Sequence, residues 1–479
     1  MLSWSASLAL LLLSTSGASA VPETPEPTGV PWTPCGRSAS LRADVASGMY
    51  GSVPRELLND NRGLLFFTAD DGVHGRELWA SSGPGGTGTF LVKDIRPGTE
   101  TSVPSRLVQM GGWIYFAASD GESGSELWRS DGTEAGTVRV KDARVGPEGS
   151  FPEGLVVVNG VLYFTAEDGE HGRELWRSDG TEEGTYLAQE LVSGPEGSEI
   201  GQLTAWGRSL AFVSFVEERA TLWRTDAQGT LSPVYRGARG TTLSALTPLG
   251  NRLFFLRDSL SSASSLEVAD VVTARTSSLR KFPGAAPHDL TVLNGLLFFG
   301  AGGQGGGLAG DASGDELWKS DGTPVGTVRV ADIRPGEAGS NPREFALAAG
   351  QLLFSADDGV HGRELWRSDG SAEGTSLVMD VMAGAGGSEP SHLTSIQGRV
   401  FFSARQAGLG RQVWSSDGSG ERTWSLEALA PDDGESEPGE FVRSGWDVFF
   451  TATDWRYGRE LWSLPFRPED RCVPPATNR

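Results

Sequence analysis

Pairs of carboxylates recur along the chain, and each pair is an aspartate followed six residues later by a glutamate. Calcium takes about six to eight oxygen ligands from carboxylates and carbonyls. The pairs are therefore candidate metal ligands, with the alternative that Asp caps a turn while Glu meets arginine or backbone donors beside a Trp. Five pairs lie in glycine-containing segments typical of β-hairpins: Asp71/Glu77, Asp120/Glu126, Asp168/Glu174, Asp358/Glu364 and Asp454/Glu460. Acidic residues expected nearby are Asp44, Asp94, Asp142, Glu190, Asp332 and Asp380.

A further aspartate recurs in a second kind of turn, Ser-Asp-Gly-Thr and its variants. Aspartate in such a turn accepts hydrogen bonds from backbone amides two residues on, which defines an Asx turn. This role needs no ligand, so we predict that these residues belong to the fold and not to a site. They are Asp131, Asp179, Asp226, Asp270, Asp321, Asp369 and Asp417.

Residues for acid–base or nucleophilic catalysis are sparse. Three of the five histidines, His74, His171 and His361, share one hairpin position in different repeats, so they are expected to lie far apart. The other two, His288 and His392, have no recognisable triad partner. The sequence contains no Gly-x-Ser-x-Gly elbow, zinc-binding histidine pair or phosphate-binding loop. We predict no catalytic residues, and whether the protein is an enzyme stays open, with a preference for a non-enzyme.

The two cysteines, Cys35 and Cys472, stand near opposite ends of the chain. Residues 1–20 carry a short apolar run followed by Ala18-Ser19-Ala20, which is typical of a secretory signal peptide. An exported protein meets an oxidising compartment, so we predict that the cysteines form a disulfide. Residues 21–40 are interpreted as a proline-rich leader that contains Cys35.

These candidate residues belong to an internal repeat that is marked by the string Glu-Leu-Trp. One interval of 95 residues is twice the others, and it contains a degenerate unit in which Glu267 replaces the tryptophan and Asp270 the later aspartate. The count is then nine units, with eight or ten as alternatives. The marker tryptophans are Trp79, Trp128, Trp176, Trp223, Trp318, Trp366, Trp414 and Trp462.

Each unit contains four short β-favouring runs separated by turn residues, which predicts a four-stranded antiparallel sheet. One such sheet cannot bury both faces, so we predict an all-β fold in which the sheets stack radially as a β-propeller. The last unit has three strands, and residues 41–54 match the missing fourth strand and its loop. An N-terminal strand is thus expected to close the ring. The propeller would span residues 41–466, and residues 467–479 would form a tail with Cys472.

Three segments of the repeat, residues 126–137, 174–185 and 316–327, resemble the ELWxxDGT repeat family of exported bacterial proteins. The resemblance covers about 400 residues and implies export, but it implies no activity. The motif is altered in some units: Thr221 and Gln412 replace the glutamate, and Ser82 and Pro465 replace the aspartate.

The formal net charge of −22 argues against nucleic acid and anionic lipid as partners, because both need clustered positive charge. We predict an exported, monomeric, non-catalytic propeller that binds an extracellular protein or glycan, with Ca²⁺ as candidate cofactor. The alternative is an extracellular hydrolase or lyase that acts on glycans. Its final location would be the periplasm, the cell surface or the medium. Units four to six depart most from the repeat, so a site that differs between units is sought there.

Overall fold

The computed structural model describes residues 30–83, 88–226, 228–259, 262–302, 314–427, 429 and 435–472. The predicted signal peptide lies outside these residues, as do residues 21–29 of the leader. The described regular structure is β-strand, apart from the 3-10 helix Glu469–Arg471, so the all-β prediction is confirmed. None of the described residues forms a helix long and apolar enough to cross a membrane.

Two strands precede the repeat units, β1 (Trp32–Pro34) and β2 (Ser40–Ala43). Units one to three contain β3 (Arg55–Asn59), β4 (Leu64–Asp70), β5 (Arg76–Ser82), β6 (Thr89–Lys93); β7 (Ser105–Met110), β8 (Trp113–Ser119), β9 (Ser125–Ser130), β10 (Val138–Lys141); β11 (Glu153–Val158), β12 (Val161–Glu167), β13 (Arg173–Ser178) and β14 (Tyr186–Gln189). Units four and five contain β15 (Glu199–Trp206), β16 (Ser209–Val216), β17 (Arg219–Thr225), β18 (Leu231–Arg236); β19 (Thr241–Leu249), β20 (Arg252–Ser259), β21 (Ser262–Asp270) and β22 (Thr276–Phe282).

Units six to nine complete the series. They contain β23 (His288–Leu293), β24 (Leu296–Gly302), β25 (Asp315–Ser320), β26 (Val328–Arg329); β27 (Arg343–Ala348), β28 (Gln351–Asp357), β29 (Arg363–Ser368), β30 (Ser376–Met379); β31 (Ser391–Ile396), β32 (Arg399–Gln406), β33 (Gly410–Ser416), β34 (Trp424–Ser425); β35 (Gly439–Ser444), β36 (Asp447–Asp454) and β37 (Gly458–Pro468).

Hydrogen bonds group these strands into eight sheets, in which neighbours along the chain pair antiparallel. Six sheets have four strands each, so the predicted four-stranded unit is confirmed. One sheet has eight strands because a single parallel bridge, Arg219 with Thr241, joins units four and five. In unit five, Glu267 pairs with Phe255 as Trp79 pairs with Phe67 in unit one, which agrees with the predicted register.

The hydrophobic core lies between sheets. Each core cluster of the described residues combines side chains from two consecutive units, because one sheet cannot cover its own apolar faces. Phe67 and Trp79 of unit one pack with Phe449 and Leu461 of unit nine in the same way. The first strands follow this order: each lies beside the first strand of the next unit, and β35 lies beside β3.

The N-terminal segment completes unit nine. Strand β2 pairs antiparallel with β37, as predicted, and Glu460 of β37 accepts a hydrogen bond from Ser52 N at 2.8 Å. The predicted disulfide between Cys35 and Cys472 is also confirmed. Two boundaries differ from the prediction: β1 lies within the proposed leader and pairs with β37, which itself continues into the proposed tail, to Pro468. The leader pairs here because β37 extends beyond the regular repeat and offers it a free edge.

Candidate functional site

The glutamates of the Glu-Leu-Trp motif are buried and bonded to their own unit. Glu126 is 0 % exposed, and its carboxylate accepts hydrogen bonds from the amides of Ala143, Arg144 and Ser150 and from the Ser150 hydroxyl, at 2.6–3.2 Å. The carboxylate thereby holds the loop that leads to the next unit. The equivalent carboxylate–serine pairs are Glu77/Ser102, Glu174/Ser198, Glu316/Ser340, Glu364/Ser388 and Glu460/Ser52.

The aspartates of the predicted metal pairs cap their hairpins instead of facing these glutamates. Asp71 Oδ1 accepts the amides of Val73 and His74, and its Oδ2 lies 2.7 Å from His74 Nδ1. Burial raises the pKa of Asp71, but the hydrogen bonds from His74 and Val73 outweigh this, so the pKa is lowered overall. The same turn-amide contacts are made by Asp120, Asp168, Asp358 and Asp454.

The structure therefore gives the two carboxylates of a pair separate partners. Among the described residues, no group of three or more His, Cys, Asp or Glu side chains is arranged to hold a metal ion. Calcium binding stays a prediction. It is checked by thermal unfolding in millimolar Ca²⁺ and in chelator, because an ion that binds only the folded state raises the midpoint. Equal midpoints would contradict it.

A row of backbone bulges, missed at the sequence level, follows the first strands. In each unit the pairing of first and second strands shifts register, as between Arg55 and Leu58, and one residue there has positive φ. Residues other than glycine rarely adopt this conformation, so its recurrence marks a built feature. We call these residues the bulge row: Glu56, Arg106, Gly154, Gln202, Ala245, Asp289, Glu344, His392 and Glu440.

Side chains of the bulge row bind the backbone of the neighbouring unit. Glu56 Oε2 accepts the amide of Arg106 at 3.1 Å, and Glu344 Oε2 accepts that of Leu393 at 3.2 Å. Glu440 Oε2 accepts the amide of Leu57 at 3.2 Å, which links unit nine to unit one. Desolvation raises the pKa of Glu440. These carboxylates therefore accept hydrogen bonds from backbone N–H groups of the chain itself.

Arginines at the start of the third strands lie beside the bulge row. Arg363 Nη1 donates to the carbonyl oxygens of Asn341, at 2.9 Å, and Ser355, at 3.2 Å. Burial lowers its pKa, as expected for a guanidinium taken partly out of water. The equivalent residues that also donate to carbonyls are Arg76, Arg173, Arg411 and Arg459. The only sequence signal for them was the recurring Arg-Glu-Leu-Trp string.

A cavity of about 280 Å³ opens where these two features meet, between units seven and eight. Its charged lining has both signs, with Arg343 and Arg363 opposed by Glu344 and Glu389. Arg363 Nε lies 3.8 Å from Glu389 Oε2, a loose ion pair beside the hydrogen bonds that Arg363 Nη1 already makes. The lining therefore presents charged groups of both signs to the cavity.

Unit six replaces this arginine by Asp315, and His288 occupies the space beside Gly300. His288 Nε2 lies 2.7 Å from Asp315 Oδ2, and its Nδ1 lies 3.2 Å from Asp289 Oδ2. Burial lowers the pKa of His288, but the two carboxylates outweigh this and raise it to about 9. Both ring nitrogens are thus engaged by carboxylates, which suits a partly buried cation and not a catalytic base.

We expect His288 to make stability depend on pH. Histidine in an unfolded chain titrates near pH 6.5, whereas the folded pKa is about 9. Its stabilising contribution is therefore complete below pH 6.5 and is lost as the pH rises through 9. The melting midpoint of the wild type should fall more steeply between pH 6.5 and 9 than that of His288→Gln. Asp315→Asn should flatten the profile in the same direction, and parallel profiles for all three proteins would contradict the assignment.

No family model matches the chain, and neither does any curated protein. Solved structures with similarity include prolyl endopeptidases (13% identity, TM-score 0.41, 74% of this chain and 54% of that chain). They also include oligopeptidase B from Leishmania major (12%, TM-score 0.44, 75% and 53%) and a puromycin hydrolase (16%, TM-score 0.41, 73% and 58%). The chain thus spans little more than half the length of each.

These comparisons correct the predicted function. The similar proteins are named as peptidases and as a puromycin hydrolase. Because all of them are named as enzymes and none is named for glycans, they contradict the predicted non-catalytic binding module and its alternative, a hydrolase or lyase that acts on glycans. The functional prediction was wrong because it relied on residues that recur in nearly every unit. Such residues report on the fold and say little about a ligand. At these TM-scores, the similar enzymes assign no role to any residue of this chain.

Proposed function

We propose that the chain is a nine-bladed β-propeller, one blade per repeat unit, that takes up peptides and acts in their processing. Three observations support a closed ring: the first strands neighbour one another in chain order, β35 lies beside β3, and the disulfide ties the two ends together. In such a ring the first strands line a central channel, and the bulge row surrounds one mouth of it. We further propose that the ring is exported and monomeric, since disulfides persist in oxidising compartments.

The cavity beside Arg343 and Glu389 carries the peptide part of the proposal. A short peptide has a terminal ammonium and a terminal carboxylate, and the cavity offers two carboxylates and two guanidiniums. Around it, carboxylates of the bulge row accept amides and the arginines donate to carbonyls, which are the two groups of a peptide backbone. Nucleic acid and anionic lipid, by contrast, need positive charge alone.

Incubation of the oxidised protein with a defined mixture of short peptides, followed by mass spectrometry of the bound and free pools, tests this. The names of the similar enzymes suggest peptide cleavage, so the experiment measures cleavage as well as binding. We expect retained peptides, and we expect Arg343→Gln to weaken retention by about tenfold, because a charged hydrogen bond is lost.

Arg55→Gln is the matched control, since Arg55 is exposed and occupies the position of Arg343 in unit one, outside the cavity. It should retain peptides as the wild type does. The proposal would be wrong if neutral oligosaccharides of similar size were retained as well as peptides, or if both variants behaved alike.

A further inference from the structure

The third turn of each regular unit, between its third and fourth strands, lies on the unit before it. In unit three, Gly180 rests on Tyr115 of unit two so closely that a β-carbon on the glycine would lie 2.1 Å from the tyrosine Oη. The Gly180 carbonyl accepts a hydrogen bond from Arg129 Nη1 at 2.6 Å. The same kind of hydrogen bond links two further pairs of units. Lys319 Nζ donates to the Gly370 carbonyl at 2.8 Å, and Arg367 Nη1 donates to the Gly418 carbonyl at 3.0 Å.

Unit four has a shorter third turn. Its residues 226–230 replace a seven-residue stretch in unit three, residues 179–185. The turn is closed by Gly229 N to Asp226 O, at 3.1 Å, and by Asp226 N to Thr230 O, at 2.9 Å. A β-carbon on Gly229 would lie 3.9 Å from the Oη of Tyr163, the counterpart of Tyr115. Residue 227 lies outside the described residues.

A cavity of about 210 Å³ lies at this joint between units three and four. Its floor is Val158, Val161 and Tyr163, and its charged lining is Arg177, Arg208 and Asp226. Between units two and three, the backbone of the third turn occupies the corresponding place.

Arg177 at this cavity lacks the turn carbonyl to which its counterparts in other units donate. Arg177 corresponds to Arg129, yet its buried Nε has no hydrogen-bond partner among the described residues; its guanidinium lies 5.3 Å from the ring of Tyr186 and interacts electrostatically with Asp179. Arg208 is exposed and donates no hydrogen bond to the described side chains. The one carboxylate, Asp226, already accepts the amides of Gln228 and Thr230 through Oδ1.

We propose that this cavity binds a small organic carboxylate, with its anionic group on Arg177 and Arg208 and its apolar part on Val158 and Val161. Two guanidiniums against one carboxylate favour a monoanion, and planar guanidinium pairs well with carboxylate oxygens. The third turns leave the sheets at the end opposite to the hairpins, so this site is separate from the peptide cavity and does not rest on the proposed function.

Isothermal titration of the oxidised protein with isobutyrate tests the site, with isobutyramide as an uncharged ligand of the same shape. We expect isobutyrate to bind and the amide not to. Arg208→Gln should weaken isobutyrate binding by about tenfold or more, whereas Arg275→Gln, an exposed arginine of unit five outside the cavity, should leave it unchanged.

A second variant fills the cavity and keeps both arginines. Replacement of residues 226–230 by the sequence of residues 179–185 gives unit four a regular turn, and isobutyrate binding should be lost while the melting midpoint holds or rises. Equal binding of isobutyrate and isobutyramide, unchanged binding in Arg208→Gln, or binding retained by the folded graft would each overturn the proposal.

Discussion

Glu126→Ala lowers the free energy of unfolding by about 3 to 5 kcal/mol. The glutamate carboxylate is 0 % exposed and accepts four hydrogen bonds from one loop. Alanine leaves three amides, of which that of Ser150 is buried, and the Ser150 hydroxyl without this acceptor, and a cavity forms where the side chain was. A urea titration should show a lower midpoint with an unchanged slope.

Two further variants isolate the cause. Glu122→Ala removes an exposed glutamate of the same hairpin and should change the midpoint little. Ser150→Ala removes only the hydroxyl donor, 2.6 Å from the carboxylate, and should cost about 1 kcal/mol. A loss for Glu126→Ala no larger than that for Ser150→Ala would show that the backbone amides find other acceptors.

Loss of the disulfide has an effect of comparable size. Cys35 and Cys472 are 437 residues apart, so the bridge restricts an unusually long loop in the unfolded chain. The loop-entropy relation gives about 5 to 6 kcal/mol as an upper value. For a chain of this size that corresponds to a fall in the melting midpoint of about 5 °C. The double variant Cys35→Ser/Cys472→Ser, compared with the oxidised wild type by calorimetry, measures it.

A reductant supplies the control. It should lower the midpoint of the wild type to that of the double variant and leave the double variant unchanged. A wild-type midpoint insensitive to reduction would mean that β1 and β2 hold unit nine closed without the bridge, through pairs such as Leu41 with Trp462.

Much of the fold was predictable because each unit repeats its own turn chemistry. Asp131 shows why: its Oδ1 accepts the amide and the hydroxyl of Thr133, at 2.9 and 2.7 Å, which is the expected Asx turn. The missing fourth strand of unit nine was found because the register of residues 41–54 matches that of residues 138–152. Such local patterns specify the strands and their order.

The candidate sites were less predictable, because they depend on contacts between units. Nothing in the sequence distinguishes Glu56 from any other exposed glutamate until the bulge places it beside Arg106 of the next unit. His288 gains its second carboxylate partner, beside Asp289, only because Asp315 replaces an arginine in the third strand of the unit. The missing residues in the third turn of unit four were visible, but the cavity they leave lies against unit three.

The pairing of β2 with β37 sets an order in time. Strand β2 precedes all the repeat units and β37 belongs to the last of them, so during synthesis β2 must wait until the intervening strands have been made before it can pair. The thiol of Cys35 stays unpaired for the same interval, since no other cysteine precedes Cys472. A chain that stops before Cys472 cannot form this bridge, and its Cys35 stays without that partner.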